Sequence, residues 1–253
     1  MSVKFSIITA VHNRERTVVH ALNSIKNQSY ANVECVVIDG ASTDRTIEMV
    51  KGILQLSDFL LSEPDGGIYD ALNKGISHAS GDIIGFLHSD DVYADNLVLE
   101  KIAEEFNNND LDIVYGDVTF FNLNSPNKVL RRYKSGNFTK SRMAWGRMPA
   151  HPAMFMKKSL YEKYGNFNTE YKIAGDNDFL CRLISNGEKK LAIRYMPNVL
   201  IKMAIGGIST GGLKNTILLN KEVLKSCLAN NIKTNYFKIL SKYPFKILEF
   251  VFK

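Results

Sequence analysis

Residues 82–91 read DIIGFLHSDD, a short apolar segment followed at once by a histidine, a serine and two aspartates. The apolar part, residues 82–87, has the length and composition of a strand buried on both faces of a sheet. Two adjacent carboxylates at the end of such a strand repel each other unless a cation compensates them. Asp90 and Asp91 therefore indicate a site for a hard divalent cation. The alternative is that one of them caps the N-terminus of the next helix.

Strand and helix patterns alternate on both sides of this segment. Short β-branched apolar stretches predict strands, and stretches with one apolar helical face predict helices. In the first half, strands are predicted at residues 3–10, 33–38, 59–61, 82–87 and 112–121, and helices at 16–28, 42–54, 68–79 and 97–106. This alternation predicts an α/β fold, with a Rossmann-like, mostly parallel sheet flanked by helices. Ligands are then expected at the carboxyl ends of the strands.

The second half of the chain is less regular. Strands are predicted at residues 129–133, 153–156, 192–196 and 199–203, and helices at 159–164, 175–185, 213–228 and 236–252. Glycines at positions 206, 207, 211 and 212 predict a loop that can close over a ligand, with a plain surface connection as the alternative. We expect a catalytic domain over residues 1–212 and a C-terminal helical extension over residues 213–253.

The composition is that of an ordinary soluble globular chain. Of 253 residues, 45% are hydrophobic and 23% are charged, and the formal net charge is +6. The three cysteines are far apart in sequence, so neither a zinc site nor a disulfide framework is expected. Neither a membrane-spanning segment nor a signal peptide is evident, which favours a cytoplasmic protein. The basic residues lack interleaved aromatics outside the C-terminal segment, which disfavours nucleic-acid binding.

Polar residues also follow the first two predicted strands. Asp39 ends the second strand, where it can accept a hydrogen bond from a nucleobase imide or a ribose hydroxyl, or act as a turn residue. Residues 9–14 (TAVHNR) end the first strand. Their backbone can face a nucleotide, while Arg14 either reaches a phosphate or remains a surface charge.

A third polar cluster follows the predicted strand at residues 59–61. Gly66 and Gly67 precede a helix and leave free backbone N–H groups for an anion. Asp70, Asn73 and Lys74 share one face of that helix, which also fits an ordinary amphipathic helix after a turn. Because all these clusters fall at the carboxyl ends of strands, together they predict one ligand site.

In this order the segments resemble the family 2 inverting glycosyltransferases of GT-A fold. The resemblance spans residues 3–207 and is closest to bacterial enzymes for surface polysaccharides. It rests on residues 6–10 (SIITA), 13–14 (NR), 37–44 (VIDGASTD), 70–75 (DALNKG) and 89–91 (SDD). The set is specific as an ensemble, although each motif is loose alone.

The resemblance implies roles for the residues on the donor side. Asp39 is implied to bind uracil or another base, and Asp90 is implied to contact the ribose or the metal. Asp91 ligates Mn²⁺ or Mg²⁺ against the diphosphate. The remaining donor residues are implied to hold the nucleoside or to lie near the sugar: Thr9, Ala10, Asn13, Asp65 and Asp70.

On the acceptor side, residues 175–178 (GDND) resemble the family's acidic motif. Asp176 is implied as the general base, with Asp178 as the competing candidate. His151 resembles a position near the acceptor, or is structural. Arg182 is a further acceptor-side candidate, or pairs with Asp178 four residues earlier. The sequence departs from the family in having Gly175 instead of a glutamate and His88 instead of an aspartate.

The implied reaction moves a hexosyl or N-acetylhexosaminyl group from a nucleotide sugar, a UDP-sugar by preference, to a saccharide acceptor. The acceptor is expected to be linked to a polyprenyl diphosphate, in O-antigen, capsule or exopolysaccharide biosynthesis. Residues 235–253 (NYFKILSKYPFKILEFVFK) form a basic amphipathic segment. They predict contact with the inner face of the cell membrane, or packing on the core or on a second subunit.

Two other function classes remain open at this point. A sugar nucleotidyltransferase also uses an α/β sheet and a metal, but it favours a glycine-rich basic phosphate loop that residues 9–14 do not provide. A non-catalytic scaffold that binds a nucleotide sugar is the other class, and the presence of Asp91 and Asp176 argues against it.

Overall fold

The computed structural model describes residues 2–185, 191–206 and 212–244. Within these residues nine strands join into one mixed sheet of order β3-β2-β1-β4-β8-β6-β9-β5, with β7 paired to β6. The strands are β1 Phe5–Val11, β2 Val33–Asp39, β3 Phe59–Ser62, β4 Ile83–Phe86, β5 Val92–Tyr93, β6 Ile113–Asn122, β7 Ser125–Tyr133, β8 Met154–Lys157 and β9 Ile193–Ala204.

Strands β3, β2, β1 and β4 run parallel to one another. Strand β8 lies antiparallel between β4 and β6, and β6 runs parallel to β9. The carboxyl ends of β1, β2 and β4 therefore meet at one edge of the sheet, where the polar clusters of the sequence come together.

Helices cover both faces of this sheet within the described residues. They are α1 Val18–Lys26, α2 Thr46–Lys51, α3 Ile68–His78, α4 Val98–Asn108, α5 Lys140–Ala144, α6 Lys158–Tyr164, α7 Gly175–Ser185, α8 Leu213–Ala229 and α9 Tyr236–Leu240, with a 3₁₀ turn at His151–Ala153. Every residue of β1 is buried, and its side chains alternate between the faces. Ile7 packs in one cluster with α1 and α4, and Ile8 in another with α3, α7 and α8. The predicted α/β fold is confirmed.

Helix α8 contributes to the same apolar cluster as the central strands. Val223 and Cys227 of α8 are buried there, as are Ile232 and Ile239 farther along the chain. The division at residue 212 stays a prediction, but the described part of the C-terminal extension packs on the catalytic core.

The structure differs from the sequence-based expectations in several elements. The two strands predicted at residues 192–203 are one continuous strand, β9, which keeps pairing with β6 across a register shift near Asp117. The polar connection at residues 137–148 contains the short helix α5. Helix α9 is assigned over Tyr236–Leu240, whereas residues 245–253 of the predicted helix and residues 207–211 of the glycine loop lie outside the described residues.

Candidate active site

A pocket of about 610 Å³ opens at the carboxyl edge of the sheet. Its walls come from the ends of β1, β4 and β9 and from the first turns of α3 and α7. The pocket brings together many of the predicted site residues, namely Ala10, Asn13, Arg14, Asp65, Asp90, Asp91, His151 and Asp176.

Asp90 and Asp91 lie in a turn directly after β4, closed by a hydrogen bond from the backbone N–H of Asp91 to the carbonyl of His88 at 3.0 Å. The next helix, α4, begins at Val98 and is preceded by Leu97. The alternative that one of these aspartates caps that helix is therefore wrong. Both aspartates instead line the pocket.

Asp91 is only 2% exposed. Its Oδ1 accepts a hydrogen bond from the backbone N–H of Ala204 at 2.9 Å, while its Oδ2 has no hydrogen-bond partner within the part of the chain that the structure describes. Burial and the neighbouring charge of Asp90 raise the pKa of the Asp91 carboxyl well above its usual range. A buried carboxylate oxygen without a partner is unfavourable, and a cation would compensate it.

The residues present fit a divalent ion that is held jointly with a phosphate ligand. Within residues 2–185, 191–206 and 212–244, no group of three or more His, Cys, Asp or Glu side chains forms a metal cage. Magnesium-type ions are commonly held by one or two carboxylates together with substrate phosphates. Asp91, with Asp90 beside it, supplies that minimal protein contribution.

Asp176 and Asp178 lie two residues apart in the first turn of α7, so their side chains point to different sides of the helix. Asp176 lines the pocket. Asp178 is 5% exposed and accepts hydrogen bonds from Arg182 Nε at 3.0 Å and from Asn230 Nδ2 at 3.2 Å. Arg182 also donates to the carbonyls of residues 164–166. Asp178 and Arg182 thus form a packing contact away from the pocket.

The Asp176 carboxylate is held by two donors. Its Oδ1 accepts from the backbone N–H of Asn177 at 2.8 Å, and the hydroxyl of Tyr69, whose single proton is shared with the carbonyl of Ile173 at 2.7 Å, lies 3.3 Å from the same oxygen. Burial raises the pKa of Asp176 to about 6, although both hydrogen bonds lower it. Such a carboxylate is ionised at neutral pH and is more basic than an exposed one, as a general base requires.

Gly175 lies against the ring of Tyr69. A Cβ added at this position would lie 2.8 Å from the ring atom Cε2, closer than real Cβ contacts. The space that a side chain would take is therefore filled by Tyr69, whose hydroxyl holds Asp176. This contact gives a physical reason for the glycine where the family resemblance leads one to expect a glutamate.

The loop after β1 forms the opposite wall of the pocket. Asn13 has a left-handed backbone conformation, with φ of 51°, and its Oδ1 accepts from the backbone N–H of Thr43 at 2.9 Å. His12 donates from Nδ1 to the carbonyl of Gly40 at 2.8 Å. Asp65 packs so closely on Gly40 that a Cβ there would lie 2.6 Å from Asp65 Oδ2. These contacts join three strand-end loops into one wall.

His151 lies in the 3₁₀ turn before β8 and is buried against two aromatic rings. Ring centroids are 4.7 Å from Phe86 and 5.4 Å from Phe167. Burial, with a contribution from nearby His88, lowers the pKa of His151 to about 3. The imidazole is therefore neutral at physiological pH. Its Nε2 has no hydrogen-bond partner among the described residues, and the ring lines the pocket.

Other predicted residues lie outside the pocket lining. Asp39 is fully buried and accepts from the backbone N–H of Ser42 at 2.9 Å and from the hydroxyl of Ser62 at 2.7 Å. Its predicted contact with the base stays a prediction. Thr9 is also buried beneath the pocket-lining Ala10.

The predicted polar face of α3 has structural partners. Asp70 accepts from the backbone N–H of Gly66 at 2.9 Å, and Lys74 pairs with Glu63 at 2.8 Å. Asn73 exchanges two hydrogen bonds with the backbone of Phe167, at 2.8 and 2.9 Å. These residues fix the loops around the site without lining it.

Sequence reasoning missed three chemically relevant residues of the lining: His12, Tyr69 and Lys172. His12 lies between predicted residues of the β1 loop, and Tyr69 directly precedes Asp70, so their neighbours in sequence could have indicated them. Lys172 lies in an irregular segment without a recognisable pattern. Only the path of the chain brings it to the site.

The family model described as Glycosyl transferase family 2 matches residues 6–165 of the chain. A PGL/p-HBAD biosynthesis glycosyltransferase of Mycobacterium bovis is 33% identical over 225 residues, which cover 87% of this chain and 82% of the relative.

Solved structures share the fold at lower identity. Staphylococcus aureus TarS 1–349 in complex with UDP-GlcNAc superposes with a TM-score of 0.70 at 20% identity, covering 92% of this chain and 68% of that one. The mannosyltransferase PcManGT of Pyrobaculum calidifontis, in complex with GDP-Man and Mn²⁺, gives a TM-score of 0.66 at 18% identity, covering 95% and 69%.

Proposed function

Since the chain belongs to glycosyl transferase family 2, we propose that it is an inverting, metal-dependent transferase that moves a hexosyl or N-acetylhexosaminyl group from a UDP-sugar to a saccharide acceptor. One observation carries the proposal: Asp176 and the pair Asp90 and Asp91 line the same pocket, from different elements. Inverting transfer needs these two parts, a base for the acceptor hydroxyl and compensation for the leaving diphosphate.

In the proposed mechanism, Asp176 accepts the proton of the acceptor hydroxyl as that oxygen attacks the anomeric carbon of the donor. The bond from the anomeric carbon to the diphosphate breaks, and the diphosphate leaves with the electron pair. Tyr69 and the backbone of Asn177 orient the Asp176 carboxylate. No covalent enzyme intermediate is needed, and attack from the opposite face inverts the anomeric centre.

The donor is proposed to lie along the wall formed by the β1 loop. Asn13 and Asp65 line that wall, and Arg14 supplies positive charge for the phosphates. Asp91, with Asp90, would hold Mn²⁺ or Mg²⁺. When bound, the ion neutralises negative charge that develops on the diphosphate.

The acceptor is proposed to be a lipid-linked saccharide in bacterial polysaccharide biosynthesis, brought to the enzyme at a membrane surface. Support comes from the charge of residues 212–244, which contain six lysines and one acidic residue, Glu222, and Glu222 is buried. Exposed apolar side chains accompany this charge, including Ile217, Phe237 and Leu240. A segment that combines basic residues with exposed apolar side chains suits an anionic membrane. None of the helices in the described residues has the length and apolar character needed to cross a membrane.

Vesicle sedimentation tests the membrane contact. We expect the full chain to bind vesicles that contain phosphatidylglycerol and not vesicles of phosphatidylcholine alone. The double substitution Phe237→Ser with Leu240→Ser should weaken binding, whereas Leu56→Ser, which changes a still more exposed leucine outside the C-terminal segment, should not. Equal binding of both variants would reject this surface as the contact.

A panel of nucleotide sugars tests the transferase proposal. Thermal unfolding is measured with UDP-, GDP-, CMP- and dTDP-sugars, each with and without Mn²⁺, because a ligand of the folded state raises its stability. We expect a metal-dependent rise with a UDP-sugar. A rise with another nucleotide would correct the donor, and the absence of any rise would contradict the proposed nucleotide-sugar site.

A further inference from the structure

Glu222 of α8 is a buried carboxylate that binds three consecutive backbone amides. Its Oε1 accepts from the N–H of Lys172 at 3.0 Å, and its Oε2 accepts from the N–H groups of Ile173 and Ala174, both at 2.9 Å. The residue is 7% exposed. Among the described residues no cation forms an ion pair with it, so these amides are the groups that compensate its charge.

The segment held by Glu222 leads directly into the first turn of α7. Lys172 and Ile173 line the pocket together with Asp176. The carbonyl of Ala174 accepts the first hydrogen bond of the helix, from the N–H of Asp178 at 3.0 Å. Any displacement of residues 172–174 therefore moves the start of α7, and with it the Asp176 side chain.

Two more contacts complete the support of this segment. From α3, the Tyr69 hydroxyl donates to the carbonyl of Ile173 at 2.7 Å and lies 3.3 Å from Asp176 Oδ1. From α8, Ser226 donates to the side chain of Asn177 at 2.6 Å. Helix α8 thus holds the chain on both sides of Asp176, through Glu222 before it and Ser226 after it.

We infer that Glu222 is a positioning residue for the transfer reaction: it holds residues 172–174 so that Asp176 faces the acceptor hydroxyl, which makes α8 part of the catalytic apparatus. This inference rests on the proposed function, in which Asp176 is the base. Asp176 and Glu222 both lie beyond the stretch matched by the family model, which ends at residue 165. A displacement of about 1 Å at a reacting group can reduce the rate about 100-fold.

Glu222→Gln is the test variant, because the amide keeps the size of the side chain but replaces one acceptor oxygen by an N–H₂ donor. Asn220→Ala is the matched control. Asn220 is equally buried on α8, but it donates to Thr216 and Tyr243, away from the pocket. A general loosening of α8 would affect both variants alike.

Hydrogen exchange of the amides of residues 172–174 gives a readout that does not depend on activity. We expect exchange at least 10-fold faster in E222Q than in the wild type and unchanged in N220A. Equal protection in all three proteins would overturn the inference. If E222Q does not fold, hydrogen exchange of the wild-type protein tests the inference. Unprotected amides at residues 172–174 would mean that Glu222 does not hold them.

Kinetics give the second readout. We expect E222Q to lower kcat about 10- to 100-fold while the Kd of the UDP-sugar changes less than twofold. An unchanged kcat together with faster exchange would show that the segment is held without any effect on the base. If the wild type itself transfers no sugar, the proposed function fails, and the exchange experiment still reports on Glu222.

The pH profile separates positioning from a purely structural role. The titratable groups around Asp176 are Tyr69 on α3, Glu222 on α8 and, along the pocket wall, Lys172. Burial is the main cause of the raised pKa of Asp176, and the charge of Glu222 adds a smaller contribution in the same direction. Activity requires the ionised base, so the acidic limb of kcat/KM should move to lower pH in E222Q and stay in place in N220A. An unmoved limb in E222Q would contradict electrostatic contact between the two residues.

Discussion

At the scale of single residues, Asp176 and Asp178 have different surroundings although they lie in the same helical turn. Both are acidic residues of the first turn of α7, and the family resemblance implies Asp176 as the base with Asp178 as the competing candidate. The structure joins Asp176 to the pocket and joins Asp178 to Arg182 and Asn230. The first carboxylate is thus available to a substrate, whereas the second is occupied within the protein.

We predict that Asp176→Asn lowers kcat about 10²- to 10⁴-fold, the range for loss of a general base, with little change in donor affinity. Steady-state kinetics and a binding measurement with the UDP-sugar check this. Asp178→Asn is the control and should keep most of the turnover while lowering the melting temperature, because it weakens a buried ion pair. The opposite pattern of activity in folded protein would transfer the role of base to Asp178.

Asp91 raises a second question at this scale, because its Oδ2 is buried without a partner among the described residues. We predict that Asp91→Asn abolishes the Mn²⁺-dependent part of the thermal stabilisation by a UDP-sugar while the protein remains folded. The control is Asp95→Asn, an exposed aspartate that binds Lys101, which should leave that stabilisation unchanged. A Mn²⁺ effect of full size in D91N would exclude Asp91 as a ligand.

At the scale of elements, the packing of α3 on the start of α7 depends on a residue without a side chain. Alanine normally stabilises a helix by up to about 1 kcal/mol relative to glycine. At Gly175 its Cβ would lie within 3 Å of three atoms of the Tyr69 ring, so steric conflict opposes that gain. The Tyr69 hydroxyl that orients Asp176 would move as a result.

We therefore predict that Gly175→Ala destabilises the protein by about 1–3 kcal/mol, as overpacking does, and lowers kcat at least 10-fold. Urea unfolding and steady-state kinetics measure the two effects. The double variant Gly175→Ala with Tyr69→Leu should regain stability but not turnover, because it relieves the conflict and removes the hydroxyl. An increase in stability for the single variant would mean that the contact adapts without strain.

At the scale of the whole molecule, a buried carboxylate connects segments at the end of the sheet opposite the pocket. Glu34 is 6% exposed and binds Lys4 at 2.8 Å, Ser6 at 2.5 Å and the backbone N–H of Ser80 at 2.6 Å. Burial opposes its ionisation, but the hydrogen bonds to Lys4, Ser6 and Ser80 outweigh burial and lower the pKa to about 2. The charged form is thus favoured by folding.

A folded-state pKa below the ordinary value stabilises the protein above the ordinary pKa, and this stabilisation is lost as pH falls toward the folded-state pKa. For Glu34 the window runs from about pH 4.5 down to about pH 2. We predict that Glu34→Gln lowers the free energy of unfolding at pH 7 by up to about 3 kcal/mol and flattens its decline in that window. Glu48→Gln, which breaks an exposed pair with Arg45, should leave the free energy of unfolding nearly unchanged, because solvent screens such a pair. Denaturant unfolding across pH measures both, and parallel curves for E34Q and wild type would contradict the assignment.

The sequence alone was enough to predict the layered α/β fold and the edge of the sheet where the site lies. The reason is local: a strand buried on both faces of a sheet is apolar along its length, as residues 83–87 are, and the polar residues that follow it mark its end. The same logic predicted the grouping of Asn13, Asp65 and Asp90, since parallel strands bring their carboxyl ends together.

Only the tertiary structure decided which acidic residue of α7 faces the pocket, why residue 175 is a glycine, and what Glu222 does. Helical periodicity separates Asp176 from Asp178, but it cannot say which side of the helix meets the pocket. The ring of Tyr69 meets Gly175 across more than 100 residues of chain, and Glu222 reaches its three amides across 48 to 50. Contacts over such separations depend on how elements pack in space, and local patterns of residue types do not predict them.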